Sequence, residues 1–285
     1  MFHSVNSGFL SLILIVVTLM ITISNRLMFK RIESRLSLQI PSLPYQDSPD
    51  FYQDFAFRDL RKKALLNSEA DRLALLKVAS GNSNKEFYNA IRIEAHCQEI
   101  KRIGEKSDGG KFVCNPEKAK KDCTLISLGL ENTIRYDVQI YNATGSQCKI
   151  LGVDKNPQNE ETHQKYEEMG GQLFQATIPN RLTIPEMLEK TGRVDVEFLK
   201  MDIEGGEFRG LEPLIKDYFV CQIFIEVHGK PSEHLTMMRM IAKYGFRMFS
   251  IEPNPQCPKC CEYSYINEMC MHQFGVIPLA ITVPH

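Results

Sequence analysis

The chain has 285 residues, 43% hydrophobic and 24% charged, enough for one large domain or two small ones with a sizeable core. Basic side chains number 34 and acidic ones 35, a formal net charge of -1. No overall field draws polyanions, so nucleic acid is not a partner that charge implies.

The first segment departs from this average. Ser4 to Asn25 holds no formally charged side chain, and its centre, FLSLILIVVTLMITI, is almost wholly apolar. That approaches the roughly 20 residues a membrane-spanning helix needs, and it lacks the polar face of a soluble core helix. No Lys or Arg precedes it and no small-x-small site follows it, which argues against a cleaved signal peptide. Residues 1–35 are therefore expected to form an uncleaved membrane anchor with its flank. Arg26, Lys30, Arg31 and Arg35 place the following chain in the cytosol by the positive-inside rule. Nine cysteines and the glycan-acceptor triplet Asn142-Ala143-Thr144 point instead to the lumen.

Next comes LSLQIPSLPYQDSPDFYQDF, where Pro41, Pro44 and Pro49 among Ser, Asp and Gln read as a stem. RDLRKKALLNSEADRLALLKVAS follows with its apolar positions mostly on one helical face, either packed on a domain or part of the stem. Residues 36–89 are thus expected to be stem and N-terminal helical segment, and 90–285 the main domain.

From about Cys123 short β-rich runs alternate with helical patterns, the signature of βαβ units and a mostly parallel sheet. The expected strands are CTLISLG, CKILGVD, GQLFQAT, VEFLKMD, CQIFIEVH, FRMFSIE and HQFGVIPLA. Between them YDVQIYN, NEETHQKYEEMG, TIPEMLEKTG, EFRGLEPLIKDY and SEHLTMMRMIAKYG are expected helices.

An open α/β sheet binds its ligand outside the carboxyl ends of the strands, so residues there carry the functional information. The first strand runs through Ser127 to Gly129, where a glycine lets backbone approach a cofactor closely. The second ends at Asp154, 25 residues after Gly129, where a carboxylate can accept both hydroxyls of a ribose. Ser127, Gly129 and Asp154 are accordingly expected cofactor-binding residues.

The fourth strand ends in LKMDIEGGE, where Lys200, Asp202, Glu204 and Glu207 interrupt a buried run. Buried charge without partners is costly, so the cluster is read as functional, with an ion-pair network around Lys200 as the structural alternative. Gly205-Gly206 would turn the chain into a helix with Glu207 near its positive end. On the fifth strand Glu226 and His228 stand two apart and share a face. Asp202, Glu226 and His228 are expected to converge as a general base with its orienting groups, or as metal ligands. The acid–base reading is adopted, and no metal is assigned.

These residues carry a family resemblance. LKMDIEGGEF followed by IFIEVHG resembles the LKxDxEGxE and IExH segments of the FkbM-type methyltransferases. DGGKFVC, LISLGLENTIRYD, and IEPNPQC with CEYSYIN resemble more closely the branch related to methyltransferase-like protein 24. The likeness spans about residues 90 to 280. It implies a class I, Rossmann-like α/β fold with a seven-stranded, mostly parallel sheet and an antiparallel last strand. It also implies S-adenosyl-L-methionine as cofactor and O-methylation of a hydroxyl on a small-molecule or glycan acceptor. Carried over by position, Gly129 and Asp154 would touch the cofactor, and Asp202, by this resemblance a further cofactor-binding residue, would lie where methyl donor and acceptor meet. Membrane-anchored or secreted members tip the orientation towards the lumen of the secretory pathway. Two departures stand out: Ala176-Thr177 ends the third strand without an acidic residue, and the first turn lacks a GxGxG run.

Cys257, Cys260 and Cys261 allow a zinc knuckle with Cys270 or His272 as fourth ligand, or disulfides among these cysteines and Cys97, Cys114 and Cys123. Disulfides or buried thiols are the preferred reading, with at least one thiol left over. Two other functions stay open: a membrane-anchored glycosyltransferase-like enzyme, and a catalytically silent domain of the same fold that binds a partner.

Overall fold

In the computed structural model the described residues are 55–105 and 109–284. The expected anchor at Ser4–Asn25 and the Pro-rich stem lie outside them. Among the described residues no helix is long and apolar enough to cross a membrane.

The described chain starts with helix α1 (Phe55–Ala79), of which only Leu75 and Ala79 are buried. Leu75 and Ala79 join the same core as Phe87 and Tyr88 of α2 (Asn84–Ala90), so this helical segment packs on the domain. Three short strands follow: β1 (Ala95–Cys97), and β2 (Ile100–Ile103) paired antiparallel with β3 (Lys111–Cys114).

The alternating pattern then unfolds as β4 (Thr124–Leu128), α3 (Arg135–Ala143), β5 (Lys149–Asp154), α4 (Glu160–Glu168), β6 (Gln172–Gln175) and α5 (Ile184–Thr191). It continues with β7 (Asp195–Met201), α6 (Glu207–Asp217), β8 (Phe219–His228), α7 (Pro231–Lys243), β9 (Phe246–Pro253) and β10 (Cys260–Asn267). A single turn, α8 (Met271–Phe274), leads to β11 (Val276–Pro278). Local chemistry marks the boundaries. Thr183 and Glu186 close a capping box at the start of α5, and Gly192 ends it in the left-handed conformation.

The seven-stranded sheet has the order β6-β5-β4-β7-β8-β10-β9. The first five in that order run parallel, and β10 lies antiparallel between β8 and β9. Strand alternation feeds two cores. Ile126, Leu128, Leu199 and Ile223 face one, while Leu125, Ile150, Phe198 and Phe224 face the other. With both faces covered, β7 and β8 read as almost unbroken buried runs.

The seventh strand is a correction. HQFGVIPLA is not in the main sheet: its first residues form α8, and β11 pairs antiparallel with β1. The seventh place belongs to CCEYSYIN. Its alternation of Cys261, Tyr263 and Tyr265 with Glu262 and Ser264 is a strand pattern that the charge and the cysteines obscured.

All nine cysteines are accounted for. Cys97–Cys114, Cys123–Cys148, Cys221–Cys270 and Cys257–Cys260 are disulfides, and Cys261 is a buried free thiol. Cys270 is thereby removed as a fourth zinc ligand, and alternation along β10 buries Cys261 on the face opposite Cys260.

Candidate active site

The strand order reverses at β4, whose neighbours are β5 and β7. Such a switch point opens a crevice at the carboxyl edge of the sheet. A cleft lies there, lined by Gly129, Glu131, Asp154, Thr177, Asp202 and Glu204 among others.

Gly129 is required by geometry. Its φ is +79°, its N–H donates to Val153 O at 2.9 Å, and a Cβ would stand 1.7 Å from the carbonyl oxygen of Asp202. The ends of β4 and β7 therefore touch backbone to backbone, with Asp202 N–H donating to Leu128 O at 3.1 Å.

Lys200 braces this contact. Its buried ammonium donates to Gly129 O at 2.8 Å, and burial pushes its pKa down, aided by Lys111 and opposed by Asp137 and Asp202. Its hydrogen bond is to backbone, and none of the ion pairs among the described residues includes it. Glu207 is structural too, accepting from Ile203 N–H at 3.1 Å and Gly205 N–H at 2.8 Å, and so shapes the expected glycine turn into α6.

Asp154 lines the cleft, but its carboxylate is already engaged. Oδ2 accepts from the N–H groups of Leu130 (2.8 Å) and Glu131 (2.9 Å), and Oδ1 from that of Asn156 (2.7 Å). A carboxylate offers about four acceptor positions, so one remains, not the two that a pair of ribose hydroxyls requires. Ser127 is buried, and the residues lining the cleft do not include it. Alternation puts it on the Leu125 face of β4, next to Asp137 of α3.

Asp202, Glu226 and His228 sit on adjacent strand ends, with Glu226 in the middle. Its Oε2 lies 3.9 Å from His228 Nε2, and its Oε1 accepts from Asn254 Nδ2 at 3.1 Å. Donor atoms of Asp202, Glu226 and Glu262 lie within 4.8 Å of one another, and so do those of Glu226, His228 and Cys260. No such group among the described residues contains both Asp202 and His228, so the three expected residues form two clusters that share Glu226.

The sequence reading missed Lys111 and Glu262 as members of this site. Register places Glu262 directly opposite Glu226 on β8 and Glu252 on β9, a row of three glutamates. The β2–β3 hairpin supplies the cations: Lys111 pairs with Glu262 and lies 3.9 Å from Asp202, while Arg102 pairs with Glu252. Lys111 is 1% exposed. Burial works against its charge, but Glu262, Asp202 and Glu226 outweigh it and raise its pKa. Burial, with Glu262 and Asp202 adding to it, pushes Glu226 up to about 8, and burial also raises Glu262. The visible signal was a charged residue inside a buried strand pattern, the one that had drawn attention to Lys200.

A doubly covered, mostly parallel sheet with a reversed strand next to its edge, and a cleft at its switch point built on one glycine turn, is the fold of the class I α/β methyltransferases. The family model of the Methyltransferase FkbM domain matches residues 81–248. The chain belongs to the FkbM methyltransferase family. Comparison with curated proteins returns no match. Solved structures similar to it include the precorrin-6y C5,15-methyltransferase of Geobacter metallireducens, at 9% identity and a TM-score of 0.38, covering 54% of this chain and 85% of that chain. Another is a SAM-dependent methyltransferase of Aquifex aeolicus, at 16% identity and a TM-score of 0.32, covering 54% of this chain and 89% of that chain.

Proposed function

We propose that this methyltransferase uses S-adenosyl-L-methionine to methylate a hydroxyl oxygen of a small-molecule or glycan acceptor. The observation that carries the reading is Glu226, a buried carboxyl poised near neutral pH between Asp202 at the cleft and the half-exposed His228.

The residues fit the donor. The cleft is lined by Glu131, Asp154, Asp202 and Glu204 against a single Lys155, which favours a cationic ligand. When bound, S-adenosylmethionine supplies a methyl already activated on a sulfonium, so alignment and proton removal are what the protein must add. Gly129 and Asp154 hold the floor of the cleft, and the last acceptor position of Asp154 and the carboxylate of Glu131 are available to ligand hydroxyls. An aliphatic hydroxyl has a high pKa, so a base with a pKa near the working pH speeds its attack. His228 fills that role: the imidazole takes the acceptor proton, with the Glu226 carboxyl beside it as the orienting group.

Methyl-labelled S-adenosylmethionine, offered with hydroxyl-bearing glycans and small molecules, tests the assignment. His228→Ala should lower the rate by roughly 10² to 10⁴ while cofactor affinity by calorimetry stays within about twofold. A stable variant with wild-type turnover removes His228 from the mechanism, and wild type that binds no S-adenosylmethionine favours the silent-domain alternative. We also propose a lumen-facing domain tethered by residues 1–35, which the four disulfides support. Digestion of the domain by protease in sealed microsomes would overturn that orientation.

A further inference from the structure

The Cys257–Cys260 bond borders the site, and the proposed chemistry does not use it. Two cysteines separated by two residues have the spacing at which one turn offers two thiolates to a single zinc ion. This turn has a closure of its own, Cys260 N–H donating to Cys257 O at 2.8 Å, so the two sulfurs stay neighbours when the disulfide opens. Across the β8–β10 ladder Cys260 stands directly opposite His228. Donor atoms of Cys260, His228 and Glu226 already lie within 4.8 Å of one another. Nδ1 of His228 is buried without a hydrogen-bond partner, an unusual state for a ring nitrogen.

Accessibility singles out the same bond. The six cysteines of the other three disulfides are all buried, whereas Cys257 is half-buried. A reductant therefore reaches Cys257–Cys260 first.

We propose that Cys257, Cys260, His228 and Glu226 form a zinc site that exists only when the Cys257–Cys260 disulfide is reduced. A dithiol reductant supplies the two electrons and two protons: the Cys257–Cys260 S–S bond breaks, two thiols form, and the reductant leaves as its own disulfide. Zinc then binds two thiolates, an imidazole nitrogen and a carboxylate oxygen, and the two thiol protons pass to solvent, together with the Glu226 proton where that carboxyl is still protonated. In the oxidised chain only His228 and Glu226 remain as ligands, too few for a closed tetrahedral site. Thiolates select zinc over calcium or magnesium. The reduced, zinc-loaded chain holds the imidazole and carboxylate that would move the acceptor proton, so methyl transfer stops. That last consequence rests on the function proposed above, and the zinc site itself does not.

The full-length protein is treated with a phosphine reductant under native conditions, and alkylation with mass spectrometry confirms that Cys257 and Cys260 have opened. Dialysis against zinc should then load one ion per chain into reduced protein and none into oxidised protein, and cobalt(II) should give the spectrum of a tetrahedral thiolate site. Cys257→Ser and Glu226→Gln should each weaken zinc binding by about tenfold or more. Zinc should also slow alkylation of Cys257 in wild type but not in His228→Ala. Reduced protein that binds no zinc, equal affinity of wild type and Cys257→Ser, or equal protection in His228→Ala overturns the proposal. None of these readouts needs a methyl donor, so their failure leaves the methyltransferase reading standing, and a failed methyl-transfer assay leaves the zinc result standing.

Discussion

Glu226 on β8 and Glu262 on β10 are direct cross-strand partners in an antiparallel ladder, and the ammonium of Lys111 pairs with the second of them from a separate hairpin. Like charges facing each other across a ladder repel, and burial makes the repulsion larger. The arrangement persists because Lys111 supplies the missing charge and because burial keeps a proton on Glu226 near neutrality.

Lys111→Met should therefore destabilise the fold by about 3 to 5 kcal/mol, the cost of leaving one partner of a buried pair uncompensated. Adding Glu262→Gln should recover a large part of that loss, since the stranded charge is gone. Urea denaturation of the single and double variants measures both effects. A double variant no more stable than the single one would show that Lys111 acts through packing alone.

The raised pKa of Glu226 makes stability depend on pH with a definite sign. The usual carboxylate value is 4.5 and the folded value about 8, so between them the folded state holds a proton that the unfolded chain has released. Stability from this group falls as pH rises through that window, by at most about 1.4 kcal/mol per pH unit for one proton. Glu226→Gln should flatten the curve of melting temperature against pH between 5 and 8, values taken as roughly inside the window. Parallel curves for wild type and variant would refute the shift.

Gly129→Ala should abolish cofactor binding and cost about 2 kcal/mol or more, because both the left-handed φ and the 1.7 Å approach to Asp202 O forbid a side chain. Calorimetry with S-adenosylmethionine and thermal melting together check it. A variant with native stability and affinity would mean that the turn is not held against β7.

Asp154 makes a paired prediction, since it braces the turn as well as lining the cleft. Asp154→Ala orphans three backbone N–H groups and should lose about 1 to 3 kcal/mol of stability along with cofactor affinity. Asp154→Asn keeps an acceptor oxygen and should lie between alanine and wild type in both measurements. Loss of affinity in Asp154→Ala at unchanged stability would show that ligand contact alone explains the residue.

The alternating βαβ pattern, the glycine at the end of β4 and the carboxylates at the ends of β5, β7 and β8 were legible in the sequence. Strand ends and turns are written in local chemistry: Gly129 and Gly205 have left-handed φ angles that glycine adopts without penalty, and Thr183 with Glu186 announces a helix start. Which strand takes the seventh place was not legible, because CCEYSYIN and HQFGVIPLA both suit a strand and only register against β8 separates them. The same register decided the composition of the site. Lys111, Glu226 and Glu262 are far apart in sequence, and nothing local says that a hairpin lysine will lie between two strand glutamates. Sequence alone thus determined which residues stand at the carboxyl edge of the sheet, because that depends on neighbours in the chain. Tertiary structure alone decided which of them share a counter-ion or accept a backbone amide, because those interactions act only across the few ångströms that folding closes.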